Sequence, residues 1–167
     1  MSKTPFTDAS GNRVLIRHEH PKSAYAARIL RRRAFTFMES LGIRGAELSI
    51  TLTDDARIAA INAEWRHKPV PTDVLSFPAG EMPRIPGVPM PVGDVVISLD
   101  TAARRTSEEG TTLAAELSRY LAHGLLHLTG WDHGTPEEAK AMLTEEERLL
   151  KGIGKGMLNG SEELEVQ

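Results

Sequence analysis

The sequence predicts an α+β fold in which a small mixed sheet of about four strands is covered by about five helices. Segments with the period of a strand and segments with the period of a helix follow one another in the order β-α-β-α-β-β-α-α-α. The strands therefore come first and helices dominate the second half, which is typical of this class. With 167 residues, 40% of them hydrophobic, the chain is long enough to bury one core.

The first four elements are predicted from their apolar spacing. Residues 14–18 form a strand and residues 23–41 a helix with an ordinary apolar face. Residues 47–53 alternate apolar and polar side chains, which indicates a strand buried on one face. Residues 54–65 then form a helix capped by Thr53, which buries Ile58 and Ile61, with Trp65 as a candidate third buried residue.

The remaining elements are two strands and three helices. Residues 73–77 and 94–98 are rich in β-forming side chains, and the Pro- and Gly-rich residues 78–93 between them predict a long loop. Helices follow at 100–109, 111–129 and 136–150, the last opened by a capping box of Thr135 and Glu138. We expect residues 1–151 to form a single domain and residues 152–167, Gly-rich and then acidic, to be a flexible tail.

The composition limits the chemistry and the compartment. The chain has no cysteine, so a transition metal must be held by imidazole or carboxylate groups. No apolar run approaches the roughly 20 residues that cross a bilayer, and residues 1–11 lack a signal-peptide core, so we expect a cytoplasmic protein. Residues 1–70 carry 12 Lys and Arg against 7 Asp and Glu, which permits a phosphate-binding face as well as charges that only confer solubility.

Three of the six histidines fall within residues 123–133. His123 and His127 are four residues apart on a predicted helix, hence on one face and about 6 Å apart along the axis. Gly130 can end that helix in a left-handed conformation and turn the chain so that His133 approaches the same point. The helix has a separate apolar stripe, so the histidines are not needed to fill the core. The pattern predicts one zinc ion per chain with an open fourth position, at which a bound water has a pKa near 7.

The same spacing also fits a class of zinc proteases, the metzincins. In those enzymes the residue after the first histidine is a glutamate that acts as general base. Here that residue is Gly124, which cannot accept a proton. A zinc peptidase is therefore the minor alternative.

Four segments together resemble the YbeY family, bacterial metal-dependent endoribonucleases that mature rRNA. They are NAEWR (62–66), PTDVLSFP (71–78), GDVVIS (93–98) and HGLLHLTGWDH (123–133), and they occur in the family's order. The likeness runs from about residue 47 to residue 150. This sequence has Trp131 where the family generally shows a tyrosine, which preserves an aromatic ring and removes a hydroxyl.

The resemblance implies a role for Arg66 and a biological function. It implies zinc on His123, His127 and His133, RNA cleavage assisted by Arg66, and single-strand-specific processing of rRNA, including the 3′ end of 16S rRNA, with a part in ribosome quality control. A guanidinium can bind two phosphate oxygens in a fork, which agrees with that role. For Arg66 alone, a surface salt bridge is the simpler interpretation.

Several alternatives stay open at this point. Asp132 and Glu116 are the carboxylates that could orient a ligand imidazole, or Asp132 could be an ordinary turn residue. Imidazole ligands also suit nickel, copper or iron. A non-catalytic ribosome-assembly factor, in which zinc only holds the last helices together and the basic half binds rRNA or a ribosomal protein, is the competing function. The sequence assigns no general base and no oligomeric state.

Overall fold

A computed structural model describes residues 6–153 of the chain. Within them, four strands and five helices follow one another in the predicted order. The elements are β1 (Arg13–His18), α1 (Ser23–Ser40), β2 (Ala46–Thr53), α2 (Asp55–Arg66), β3 (Val74–Pro78), β4 (Met90–Ser98), α3 (Leu99–Glu109), α4 (Leu113–Leu128) and α5 (Pro136–Lys151). The predicted α+β class is confirmed. None of the helices in this range is long and apolar enough to cross a bilayer.

The four strands form one mixed sheet in the order β1-β2-β4-β3. Strands β1, β2 and β4 are parallel, and β3 is antiparallel to β4. A parallel pair needs a crossover, and α1 supplies it between β1 and β2. The loop between β3 and β4 instead returns the chain directly, so these two strands pair as antiparallel neighbours.

Alternate residues of β4 divide the apolar interior into two clusters. Val95 and Ile97 face the larger one, which contains the buried sides of α1 and α4. Val96 points the other way and packs with Ile58 of α2. The larger core also includes Ile153, two residues past the predicted end of the domain at residue 151. The rest of the predicted tail, from residue 154, lies outside the described residues.

Strand β4 begins four residues earlier than predicted. The Met90 N–H donates a hydrogen bond to the Gly45 carbonyl (2.8 Å), and Met90 pairs with Ala46 at the start of β2. A register shift beside Glu47 accommodates the pairing of Pro91. Pairing with β2 therefore extends the strand into a segment whose proline and glycine content predicts a loop.

Two predictions about α2 are wrong. Its N-cap is Asp54, whose side chain accepts the Arg57 N–H at 2.8 Å, whereas Thr53 remains in β2 and is fully buried. Trp65 is 63% exposed rather than buried. Helix α2 turns Ile58 into the smaller cluster, whereas Trp65, at its last turn, packs edge-on against Phe77 at the margin of that cluster and stays largely exposed.

Candidate metal centre

Helix α4 places His123 and His127 on one face, and the turn after it brings His133 to them. The Nε2 atoms of His123 and His127 are 3.1 Å apart. The ring centroid of His133 lies 4.9 Å from that of His127 and 5.7 Å from that of His123. One ring nitrogen from each histidine lies within 4.8 Å of the others, and no other set of three or more His, Cys, Asp or Glu residues in residues 6–153 meets this condition.

The turn that delivers His133 is built by Gly130. Its φ of +102° belongs to the left-handed region. The Gly130 N–H donates to the His127 carbonyl (3.1 Å) and the Trp131 N–H to the Leu126 carbonyl (3.0 Å). These two bonds form a Schellman motif, which closes the helix and reverses the chain. The predicted role of Gly130 is confirmed.

Hydrogen bonds at Nδ1 fix the orientation and the tautomer of the His123 and His127 rings. His123 Nδ1 lies 2.5 Å from the Glu146 carboxylate, and His127 Nδ1 lies 3.0 Å from the Trp131 carbonyl oxygen. Both partners are acceptors, so each neutral ring carries its proton on Nδ1 and a lone pair on Nε2. Two lone pairs therefore face each other across 3.1 Å.

That arrangement fits a divalent cation. A tetrahedral zinc ion about 2.0–2.1 Å from each nitrogen separates two ligand nitrogens by about 3.3 Å. Burial lowers the pKa of His127, and the neighbouring rings of His123 and His133 lower it further. Neutral imidazole is the form that binds a metal. The positions and tautomers of His123 and His127 and the lowered pKa of His127 thus agree with a metal site that His133 completes.

Glu146 was not predicted from the sequence. It lies on α5 between Met142 and Leu149, in the stripe that packs into the larger core, and is 8% exposed. A carboxylate in an apolar stripe is rarely buried without a partner, which is the sequence signal that could have found it. Its partner is His123, so α5 supports the candidate site from behind.

The two carboxylates suggested by the sequence lie elsewhere around the site. Asp132 accepts the backbone N–H of His133 at 2.8 Å, which fixes the turn. Glu116 is buried and borders a small chamber behind His123, but its Oε1 has no hydrogen-bond partner among the described residues. A role in orienting a ligand ring stays a prediction for both.

Arg66 lines the same cleft as the histidines. It is the last residue of α2, because His67 adopts a left-handed φ of +58° and ends the helix. The Arg66 Nη2 donates to the Ser76 carbonyl at 3.0 Å, and its guanidinium carbon lies 5.6 Å from the centre of the Phe77 ring. Arg66 and the three histidines line one cleft of about 630 Å³. Its contacts in residues 6–153 are thus a carbonyl and a ring rather than the carboxylate of a surface salt bridge.

Gly124 separates this site from the zinc proteases. A Cβ added to Gly124 would lie 3.1 and 3.2 Å from the two Val95 methyl groups, so α4 packs closely on β4 at this residue. A glutamate here would meet the sheet instead of the cleft. The base that a metzincin places after its first histidine has no room in this molecule.

The sequence matches the family model described as "Endoribonuclease YbeY" over residues 17–154. The chain belongs to the YbeY family. A YbeY endoribonuclease of Anaeromyxobacter dehalogenans is 53% identical over 141 residues, covering 84% of this chain and 72% of the relative. One from Persephonella marina is 41% identical, covering 85% and 93%.

Two further comparisons bear on length and fold. A YbeY endoribonuclease of Myxococcus xanthus is 49% identical over 89% of this chain, which spans half of that longer relative. A solution structure of a Thermotoga maritima protein superposes with a TM-score of 0.60 at 22% identity, covering 84% of this chain and 88% of that one. This second likeness shows the fold alone.

Proposed function

We propose that this YbeY-family protein is a zinc-dependent endoribonuclease of the cytoplasm that cleaves single-stranded RNA. Its proposed task is rRNA processing, including maturation of the 16S rRNA 3′ end, and ribosome quality control. The observation that carries the proposal is the convergence of three imidazoles in a cleft that Arg66 also lines. The names of the relatives, endoribonucleases, support the same activity.

His123, His127 and His133 would hold the ion. When bound, zinc supplies Lewis-acid polarisation and an activated water for hydrolysis. The chain contributes the tautomers: the Glu146 carboxylate and the Trp131 carbonyl hold protons on Nδ1 and keep Nε2 free.

Arg66 would bind the scissile phosphate. The hydrogen bond to Ser76 uses one of its five N–H groups, and contact with the Phe77 ring helps to fix its plane. The remaining donors can bind two phosphate oxygens in a fork and stabilise the added negative charge of a phosphodiester transition state. A lysine has no such planar fork.

RNA cleavage by the zinc-loaded protein tests this function. Arg66→Ala removes a charge-assisted bond of about 1.5–3 kcal/mol and should slow cleavage roughly ten- to a hundredfold, with Arg66→Lys between it and wild type. His127→Ala should abolish both zinc retention and cleavage. Arg44→Ala, which removes an exposed arginine outside the cleft, is the matched control. An unchanged rate in Arg66→Ala would exclude the role of Arg66.

One contact favours the second candidate, a zinc-stabilised ribosome-assembly factor. His123 on α4 is bonded to Glu146 on α5, so a metal at this site would also strengthen the packing of the last two helices. Treatment with a chelator separates the candidates. Lost cleavage with retained folding supports the enzyme, whereas unfolding on metal removal, together with no cleavage by the loaded form, supports the assembly factor.

A further inference from the structure

Trp65 is a large aromatic residue left in water beside the cleft. It immediately precedes Arg66 at the end of α2 and is 63% exposed. The chain has only two tryptophans, and the other, Trp131, lines the cleft itself and is 36% exposed. A largely exposed tryptophan is typical of a surface that binds a ligand, because a side chain with so much apolar area is usually buried.

Phe77 supports Trp65 and Arg66 together. The Trp65 ring packs edge-on against Phe77, with 6.1 Å between centroids and 63° between planes, while the Arg66 guanidinium lies over the same Phe77 ring. The tryptophan and the arginine are therefore held at a fixed spacing by one side chain. A ligand that contacts Arg66 has an aromatic surface next to it.

Trp65 borders a second groove, of about 540 Å³, that continues from the cleft. The groove lies on the face of the sheet that α2 only partly covers, and Pro78 lines both the groove and the cleft. Its charges are mixed: Arg17 and Arg57 are accompanied by three carboxylates, those of Glu19, Glu64 and Asp94. Such a surface does not attract a phosphate chain, so the part of a ligand that fits it is uncharged.

We propose that Trp65 is the stacking platform for one unpaired base of the RNA strand whose phosphate Arg66 binds. An unpaired base presents a flat, neutral face that stacks on exposed aromatic rings, and a base in a duplex does not. Trp65 is then a positioning residue that favours single-stranded substrate. The inference rests on the proposed function, since RNA must be the ligand of the cleft.

Tryptophan fluorescence measures the proposed contact between Trp65 and an RNA base. In a Trp131→Tyr, His127→Ala background Trp65 is the only tryptophan and cleavage is blocked. A single-stranded oligoribonucleotide should quench its emission saturably, and an abasic oligomer of equal length and charge should not. Trp65→Ala, made with His127→Ala alone, should weaken binding roughly 5- to 100-fold, and Trp65→Phe less. Leu143→Ala, which removes another exposed apolar side chain that lines neither the cleft nor the groove, is the control.

Salt dependence separates stacking from charge. The logarithm of the RNA association constant falls linearly with the logarithm of the salt concentration. Trp65→Ala should leave this slope unchanged, whereas Arg66→Ala should reduce its size by about the contribution of one phosphate contact. Equal quenching by the abasic oligomer, or unchanged affinity in Trp65→Ala, overturns the base platform even if wild-type protein cleaves RNA. Base-dependent quenching in a protein that proves unable to cleave RNA supports the platform and overturns the nuclease.

Discussion

The contact between Glu146 and His123 should set the zinc affinity of the site. Without this acceptor, the His123 proton is free to move to Nε2, which removes the lone pair that faces His127. Zinc binding must then displace that proton and reorient the ring. We therefore expect both Glu146→Gln and Glu146→Ala to weaken zinc binding, the second more than the first.

The magnitudes follow from the burial and charge of Glu146. It is 8% exposed, so solvent screens its bond to His123 only weakly. Hydrogen bonds to charged groups contribute about 1.5–3 kcal/mol and neutral ones about 0.5–1.5 kcal/mol. Replacing the carboxylate by an amide should thus cost about tenfold in zinc Kd, and removing it up to about a hundredfold, which is the range typical of residues that support a ligand histidine.

Competition with a chromophoric chelator measures the zinc Kd directly, without relying on catalysis. The neighbouring Glu147→Gln is a matched control, because Glu147 is exposed on the same helix. Melting temperatures of the metal-free variants show whether the apo fold has changed. A zinc Kd for Glu146→Ala equal to that of wild type, in a folded protein, would refute the reasoning.

Three further predictions concern stability. Gly124→Ala places a methyl group 3.1–3.2 Å from Val95 and should cost about 1–3 kcal/mol, or several degrees in melting temperature. Gly130→Ala puts a side chain at φ +102° and should cost about 1 kcal/mol or more and weaken zinc binding, measured by the same competition. For Asp55, burial opposes ionisation, but bonds from two hydroxyls and Arg104 outweigh it and hold its pKa below 3.8. Asp55→Asn should destabilise the fold by about 1–2 kcal/mol at pH 7.

The direction of the pKa shift of Asp55 determines the pH range over which this side chain stabilises the fold. Because the folded pKa is lower than the unfolded one, the stabilisation is present above the unfolded pKa and is lost as the pH falls through the folded pKa. Denaturant unfolding should show the gap between wild type and Asp55→Asn closing below about pH 4. A gap that persists at acid pH would contradict this. Gly42→Ala, also at positive φ with open space around it but outside the cleft, is the control for Gly130→Ala: it should carry the backbone strain without lowering the zinc affinity.

The histidine site could be predicted because its information is local. His123, His127, Gly130 and His133 span eleven residues, and helix periodicity plus one glycine are enough to bring the three rings together. Local patterns likewise predicted the order of all nine elements. The same logic failed at Trp65, because helix periodicity shows which residues share a face but not how much of that face the sheet covers.

The support of the site depends on contacts between distant residues. Glu146 is 23 positions from His123 and on another helix, and Arg66 is fixed by a carbonyl and a ring of β3. These contacting residues are not related by a helix or strand period, so a periodic sequence pattern does not reveal that they are in contact. The insertion of β4 between β2 and β3 is similar, because it depends on pairing between β2 and β4, which are far apart in the sequence.

Zinc K-edge absorption of the protein loaded with one equivalent of zinc tests the central claim most directly. We predict one ion per chain with three imidazole nitrogens at about 2.0–2.1 Å and one further light-atom ligand, and loss of one imidazole in His133→Ala. A protein that retains no zinc, or zinc surrounded by fewer than three imidazoles in the wild type, would contradict the account.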